Sequence, residues 1–248
     1  MGYRMYARGI TSLDSTYHQA ILARTGRSTQ CMRGRGITAV MKEKFFPDYV
    51  YRQPSGGGPI LDRKGAVGAV KKPGRGSGMA RGRLVDHEIQ RWVENSKGIA
   101  VNASNITKTF HPFSRAFIAL TQRLRLTPVS TQVVVRDETC NIATLVDAVF
   151  LNSSGRVVVV ELKTGFEGYN DISTGRMHAE FAHLTNAPAN QHSVQLAFTH
   201  AMFESTFPEF GAADALLIRM TSYGAHVRSL CPRERAAARQ AMQQASSF

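Results

Sequence analysis

The chain has 248 residues, a formal net charge of +13 and 43% hydrophobic residues, enough apolar side chain for one large core and too much for wholesale disorder. Its longest aliphatic run, Val157 to Val160, is far short of the roughly 20 residues that span a bilayer, so no membrane association is expected. Three scattered cysteines, Cys31, Cys140 and Cys231, exclude a disulfide framework and any four-cysteine zinc or iron–sulfur site, which points to a reduced intracellular compartment.

The charge is lopsided. Residues 1–83 carry sixteen basic and four acidic side chains, and the remainder fifteen and fourteen. A basic segment on a near-neutral domain predicts a polyanionic partner, nucleic acid ahead of an anionic membrane. The competing reading is a solvated tail or a targeting segment. Residues 1–45 are rich in Arg, Ser, Thr and Gly, with Asp14 the only acid before Glu43, a composition like that of organellar transit peptides. Arg33 and Arg35, alternating with Gly34 and Gly36, also read as a flexible phosphate-binding arm. No apolar stretch precedes a small-residue cleavage site, so secretion is not expected. From Gln53 to Arg83 the chain is dominated by Gly, Pro, Lys and Arg. Lys71, Lys72, Arg75, Arg81 and Arg83 read as a cationic linker or clamp on DNA; a phosphate loop would need the Walker Lys-Ser/Thr ending, which is missing. Residues 1–80 are thus expected to form an extension, 81–231 a folded domain and 232–248 a helical tail.

Within the domain, Leu84, Val85, Ile89, Trp92 and Val93 recur at helical spacing and predict a helix from Gly82 to about Asn95. A second helix is predicted over Ser114 to Arg125, stopped at Thr127-Pro128. The period then changes: Gln132 to Arg136, Ala143 to Leu151 and Val157 to Lys163 are rich in β-branched residues and read as strands. Residues 165–190 read as a long loop with a short helix around Met177 to Leu184. Gln191 to Phe203 reads as a helix, Ala215 to Met220 and Ala225 to Leu230 as strands, and Pro232 to Gln244 as a helix. The order is that of an α/β protein with a mixed central sheet flanked by helices.

The chemistry concentrates at Asp147 and the triplet Glu161-Leu162-Lys163. Asn152-Ser153-Ser154-Gly155 makes a four-residue turn between two apolar strands, so these strands form a hairpin. With Leu151 opposite Arg156, Asp147 faces Val160, one residue from Glu161. Glu161 and Lys163, two apart on a strand, share a face. Buried carboxylates are costly unless paired or metal-bound. Two acids and a lysine at the mouth of an apolar hairpin suit phosphodiester hydrolysis. Asp147, Glu161 and the Leu162 carbonyl offer the oxygen ligands that Mg²⁺ or Mn²⁺ prefers, and Lys163 can orient a water or stabilise charge developing on phosphorus.

Asp147, then Glu161-Leu162-Lys163-Thr164-Gly165, then a Gln-bearing helix, all within about residues 80–230, resemble the PD-(D/E)XK nuclease superfamily, particularly its RecB-like, viral alkaline or organellar exonuclease-like branch. The resemblance implies a restriction-endonuclease-like core in αβββαβ order and a metal-dependent DNA nuclease, an exonuclease of the processing, recombination, repair or genome-maintenance type. It places such a protein in the nucleus or mitochondrion if the source is eukaryotic or viral. The alternative is a non-cleaving nucleic-acid-binding protein on the same fold. The branch also uses a residue on the first helix in a pattern resembling Gly-x-x-x-His. Here Gly82 is followed by Asp86 at the histidine position, then His87 and Glu88. Asp86 and Glu88 flank opposite edges of the Val85/Ile89/Trp92 stripe, and either can reach the metals: Asp86 by alignment as a ligand, Glu88 by length as a catalytic group. In the branch's Gln-x-x-x-Tyr motif, Gln195 is the catalytic counterpart, Thr199 replaces the tyrosine with Phe198 beside it, and Gln191, one turn earlier, is expected at the DNA. His87, His192 and His200 are expected to be surface or packing residues.

Overall fold

Val157 to Val160 are all buried, which a strand achieves only when both faces of its sheet are covered, because successive side chains point to opposite sides. In the computed structural model, which describes residues 19–21, 35–46, 75–96, 107–164, 175–211, 213–221 and 223–245, these valines open β4 (Val157–Thr164), the middle of a mixed six-stranded sheet. β4 pairs antiparallel with β3 (Ile142–Leu151) and parallel with β5 (Asp214–Thr221). β2 (Thr127–Asp137) lies antiparallel along β3, and β6 (Gly224–Ser229) antiparallel along β5. β1 (Arg35–Gly36) runs parallel to Ile142–Ala143, on the side of β3 opposite β2 and along the stretch that β4 does not reach.

Each face of the sheet has its own core. One holds β-strand valines with Ile37 and Met41 of α1 (Ile37–Lys44), Leu196, Met202 and Phe203 of α4 (Pro188–Thr206), and Ala237, Ala238 and Ala241 of α5 (Pro232–Ala245). The other holds Val85, Ile89 and Trp92 of α2 (Arg75–Ser96) with Phe117 and Ile118 of α3 (Pro112–Arg123), packed on Phe150, Val158, Val160 and Ile218. The α/β class and the order of helices and strands therefore stand. No helix among the described residues is long and apolar enough to cross a membrane.

The boundary at residue 80 does not hold. Residues 35–46 supply a strand and a helix whose Ile37, Met41 and Phe45 are buried in the main core, and α2 begins at Arg75. The C-terminal helix is likewise part of the core and not a separate tail. Composition concealed this, because short apolar stretches between arginines carry little periodicity. Arg35 is accordingly not on a loose arm: it sits in β1 and pairs with Glu43. Arg33, Lys71 and Lys72 lie outside the described residues. The helix expected around Met177 to Leu184 is reduced to a single 3₁₀ turn, Ala179–Phe181, and α4 starts earlier than expected, with Pro188 in its first turn.

The β3–β4 turn forms as its sequence requires. Asn152 Oδ1 accepts from the backbone N–H groups of Ser154 and Arg156, each at 3.0 Å, and Gly155 takes φ 76°, a left-handed value open to glycine. The resulting register pairs Leu151 with Val157 and Ala148 with Val160, one residue away from the expected pairing. Continued one step, it sets Asp147 across from Glu161.

β3 is also distorted at this point. Val146 packs in the α4-side core and Ala148 in the α2-side core, although residues two apart on a strand normally share a face. The inversion falls at Asp147, and its neighbour across β2, between the pairs Val133–Val146 and Thr131–Ala148, is Gln132 with φ 53°. A left-handed backbone is unfavourable for any side chain and worst for a β-branched one. Gln132→Val should therefore lower unfolding free energy by about 1 kcal/mol or more in denaturant titration, whereas Gln132→Gly should not. Equal stability of the two variants would contradict the left-handed assignment.

Candidate active site

Asp147 and Glu161 meet where β3 and β4 part. The last β3–β4 pair is Ala148–Val160, and beyond it the Asp147 side chain spans the fork: its Oδ2 accepts from the Leu162 backbone N–H at 2.7 Å. Glu161 is 1% exposed. Its Oε1 accepts from the Lys163 ammonium, while its Oε2 is buried and has no hydrogen-bond partner among the described residues. Lys163 follows on the same face, with its side chain 22% exposed, so the ammonium sits between the buried acid and solvent.

The site is electrostatically expensive. Burial pushes the Asp147 carboxyl well above the ordinary aspartate range, and the neighbouring Glu161 charge pushes it further; Lys163 and the Leu162 N–H oppose this, and Asp86 adds a smaller repulsion. Asp86 is raised too, first by burial, with Lys163 opposing and Glu161 reinforcing. Helix α2 brings it there by passing the end of β4: a Cβ on Gly82 would lie 3.6 Å from Thr164 Oγ1, and Asp86 is one turn further along the same helix face.

The two helix acids thus separate. Glu88, expected as a catalytic group, is 8% exposed and points into the α2–α3 junction, where its Oε2 accepts from His111 N at 2.8 Å and Ser114 Oγ at 2.6 Å. A carboxylate at the N-terminus of α3 satisfies otherwise orphan donors and complements the helix dipole, so Glu88 holds helices together. Asp86 alone of the pair shares the field of Glu161 and Lys163.

Helix α4 contributes a residue that the sequence left to surface or packing. His192 is pushed down to about 3, by burial and then by the charge of Lys163, so it stays neutral beside the lysine. Only its position in the first turns of α4 signalled this, and a histidine at a helix start has many other uses. Gln195, three residues on, shares the face of His192 and is half-buried. Gln191, expected at DNA, instead donates its Nε2 to Asn186 Oδ1 at 2.8 Å and anchors the start of the helix. Thr199 and Phe198 are core residues, and His200 bonds the Ala213 carbonyl at 2.9 Å. On α2, Arg81 lies over the Phe113 ring at 5.2 Å, Arg83 is exposed, and Arg75 lies in the first turn.

The donor set suits a hard divalent cation. Asp147, Glu161 with its unpartnered buried oxygen, and the Leu162 carbonyl are all oxygen donors, and Asp86 stands further out. Among the described residues no group of three or more His, Cys, Asp or Glu side chains could hold a metal ion between them. Mg²⁺ does not need one, since it retains several waters and takes one or two carboxylates.

No family model and no curated protein matches the sequence. Among solved structures, the protein described as "Crystal structure of SSO0001" aligns at 17% identity over 67% of this chain and 73% of that chain, with a TM-score of 0.29.

Because the Asp147 carboxyl is raised, its folded state holds a proton that the unfolded chain releases more readily. Its favourable contribution is present below the ordinary aspartate range and is lost as pH rises through the raised value. Metal-free Asp147→Asn should consequently melt higher than the parent chain at pH 7, with the difference closing on acidification toward pH 3. A variant that melts lower at pH 7 would show that the Asp147 charge is a net stabiliser.

Proposed function

We propose that this chain is a Mg²⁺- or Mn²⁺-dependent deoxyribonuclease of the PD-(D/E)XK superfamily, RecB-like in type, that degrades DNA from an end. The observation that carries the reading is the Asp147–Glu161 pair at the β3–β4 fork, with one buried oxygen of Glu161 lacking a hydrogen-bond partner among the described residues and Lys163 beside it. Charge of this kind is costly to bury, and folds retain such costs where chemistry uses them. A bound Mg²⁺ or Mn²⁺, held by Asp147, Glu161 and the Leu162 carbonyl, would polarise a phosphodiester and acidify a water.

The remaining roles belong to the chain itself. The Leu162 N–H fixes the Asp147 carboxylate through its Oδ2. Lys163 carries donors only, so it serves the phosphate or the attacking water and not the cation. Its pairing with Glu161 holds the ammonium in place before substrate arrives, which is how a positioned charge lowers a barrier. Neutral His192 packs near it without adding repulsion. Asp86 is the helix acid of this reading and Glu88 a scaffold residue.

DNA would be gripped by charge and not by sequence, through Arg33, Lys71 and Lys72 together with exposed Arg83. A nuclear or mitochondrial place of work, if the source is eukaryotic or viral, belongs to the same reading.

Single-turnover assays with end-labelled linear DNA, closed circular DNA and an EDTA control test the proposal. Asp147→Asn and Glu161→Gln should abolish cutting of linear DNA while leaving a folded protein; Lys163→Ala should lose about 10²–10³-fold yet still bind Mn²⁺ in calorimetry. Substantial cleavage by both acid variants would sink the assignment, and a parent chain inert with every DNA would favour the non-cleaving alternative. The charge grip needs its own test, because deleting residues 1–80 would also remove buried Ile37, Met41 and Phe45. Lys71→Gln with Lys72→Gln should instead flatten the dependence of log affinity on log salt by about 1–2; an unchanged slope would remove these lysines from the interface.

A further inference from the structure

β6 is the last strand on its side of the sheet, and none of the described strands pairs with its outer edge. Its register with β5 runs from Gly224 to Ser229 without a bulge, and it contains no proline, so it lacks two of the devices that make an edge unreceptive to another strand. The end of the strand shows which way its backbone groups point. The Leu230 N–H reaches the Ala215 carbonyl at 3.0 Å, so Leu230 and, by the alternation of an antiparallel ladder, Arg228 and His226 direct their amides to β5. Ala225, Val227 and Ser229 therefore turn theirs outward, as a row of donors and acceptors spaced for a further strand.

The two faces of β6 differ. Val227 and Ser229 lie opposite Ile218 and Leu216 of the α2-side core, whereas Arg228 lies opposite Leu217 of the α4-side core. On the first face Val227 is 43% exposed, and beside Ser229 a cavity of about 340 Å³ lies between the sheet and the end of α3, walled by Leu124, Leu126, Val158 and Leu216. Leu124 is itself 37% exposed. The other side is cationic. Between Gly224 and Arg235 the chain carries His226, Arg228, Arg233 and Arg235 against a single acid, Glu234, which is buried and already accepts from Arg228 at 2.6 Å and from the Cys231 N–H at 3.0 Å.

We propose that β6 is the docking edge for an extended segment of a partner protein in which apolar and acidic residues alternate. Added as a strand, the segment bonds through its main chain to the outward groups of Ala225, Val227 and Ser229. Its apolar side chains, all on one face, cover Val227 and enter the cavity beside Ser229, and the acids between them face the arginine side. Arg228 keeps its bond to Glu234 in this arrangement, because three arginines against one glutamate leave that side positive. A second copy of this chain fits less well: antiparallel pairing of two β6 strands about Val227 sets His226 against Arg228 twice, with no acid to offset them. Such docking is independent of the nuclease reading above.

Fluorescence anisotropy of the full chain tests the edge, with a short labelled peptide of alternating leucine and glutamate and a counterpart carrying lysine for glutamate. The glutamate peptide should bind, and the lysine peptide at least about tenfold more weakly. Val227→Pro removes an outward N–H without taking a β5–β6 bond and should weaken binding about tenfold, whereas Val227→Thr, which keeps that amide and a β-branched side chain, should bind nearly normally. Amide exchange of the parent chain supplies a readout that stands even if Val227→Pro fails to fold. Peptide should slow exchange at Val227 and Ser229 and leave Arg228, already bonded to β5, unchanged. No binding of the glutamate peptide, equal binding of both peptides, unmoved affinity in folded Val227→Pro, or protection that does not alternate would overturn the proposal. A dimer of the parent chain in sedimentation that Val227→Pro abolishes would likewise overturn it and give the edge to a second copy.

Discussion

The short span between Asp147 and the Leu162 backbone organises this molecule more than any apolar contact does. Two carboxylates have been taken into an interior where the Glu161 charge and burial together discourage ionisation of Asp147, and the sheet tolerates this because it forks there. A fully paired ladder would leave no route for the Asp147 side chain to an amide on β4. With the ladder interrupted, Asp147 replaces a missing backbone partner, Glu161 gains the Lys163 ammonium, and the remaining imbalance stays as a Glu161 oxygen with no partner among the described residues. The left-handed Gln132, the face inversion in β3 and the close passage of α2 at Gly82 all converge on the same few residues. Strain and unsatisfied charge collected in one place, inside an otherwise regular α/β sheet, mark a site kept for something other than stability.

Much of the sheet could be read from the chain because its signals are local. Four valines in a row, an Asn-Ser-Ser-Gly turn and a switch from helical to alternating periodicity fix β3, β4 and the hairpin between them. The pairing of Asp147 with the Glu161 region followed from counting back from that turn, and the one-residue discrepancy arose because Asn152 caps the turn from within it. Glu88 was misjudged for a different reason. Helix geometry says which side of α2 a carboxylate occupies, but not that the N-terminus of α3, folded from residues more than twenty positions later, offers it two better donors. His192 was assigned to surface or packing because its neighbour Lys163 comes from another element, a relation that no spacing within α4 encodes.

The N-terminal third shows how composition can mislead about boundaries. Its arginines dominate every average, yet Ile37, Met41 and Phe45 are buried in the α4-side core, and Arg35 stands in a strand. High net charge constrains what a segment meets in solution; it does not prevent a handful of apolar residues from docking when a sheet edge is open to receive them.

That edge has a kinetic consequence. β1 joins β3 at Ile142, so the chain must close a loop of roughly a hundred residues to gain a two-residue ladder and one short helix, whereas β2, β3 and β4 are linked by tight connections and assemble from near neighbours. The meander can therefore condense early, with β1 and α1 arriving last. By the same reasoning they are the first elements to detach as the molecule opens, exposing the Ile142 edge of β3 and the apolar surface beneath α1 while the Asp147 fork remains intact. In hydrogen exchange the amides of residues 35–46 would then form a separate, less protected group from those of β4, and an early opening of this kind is where chaperones or proteases would first find purchase on the chain.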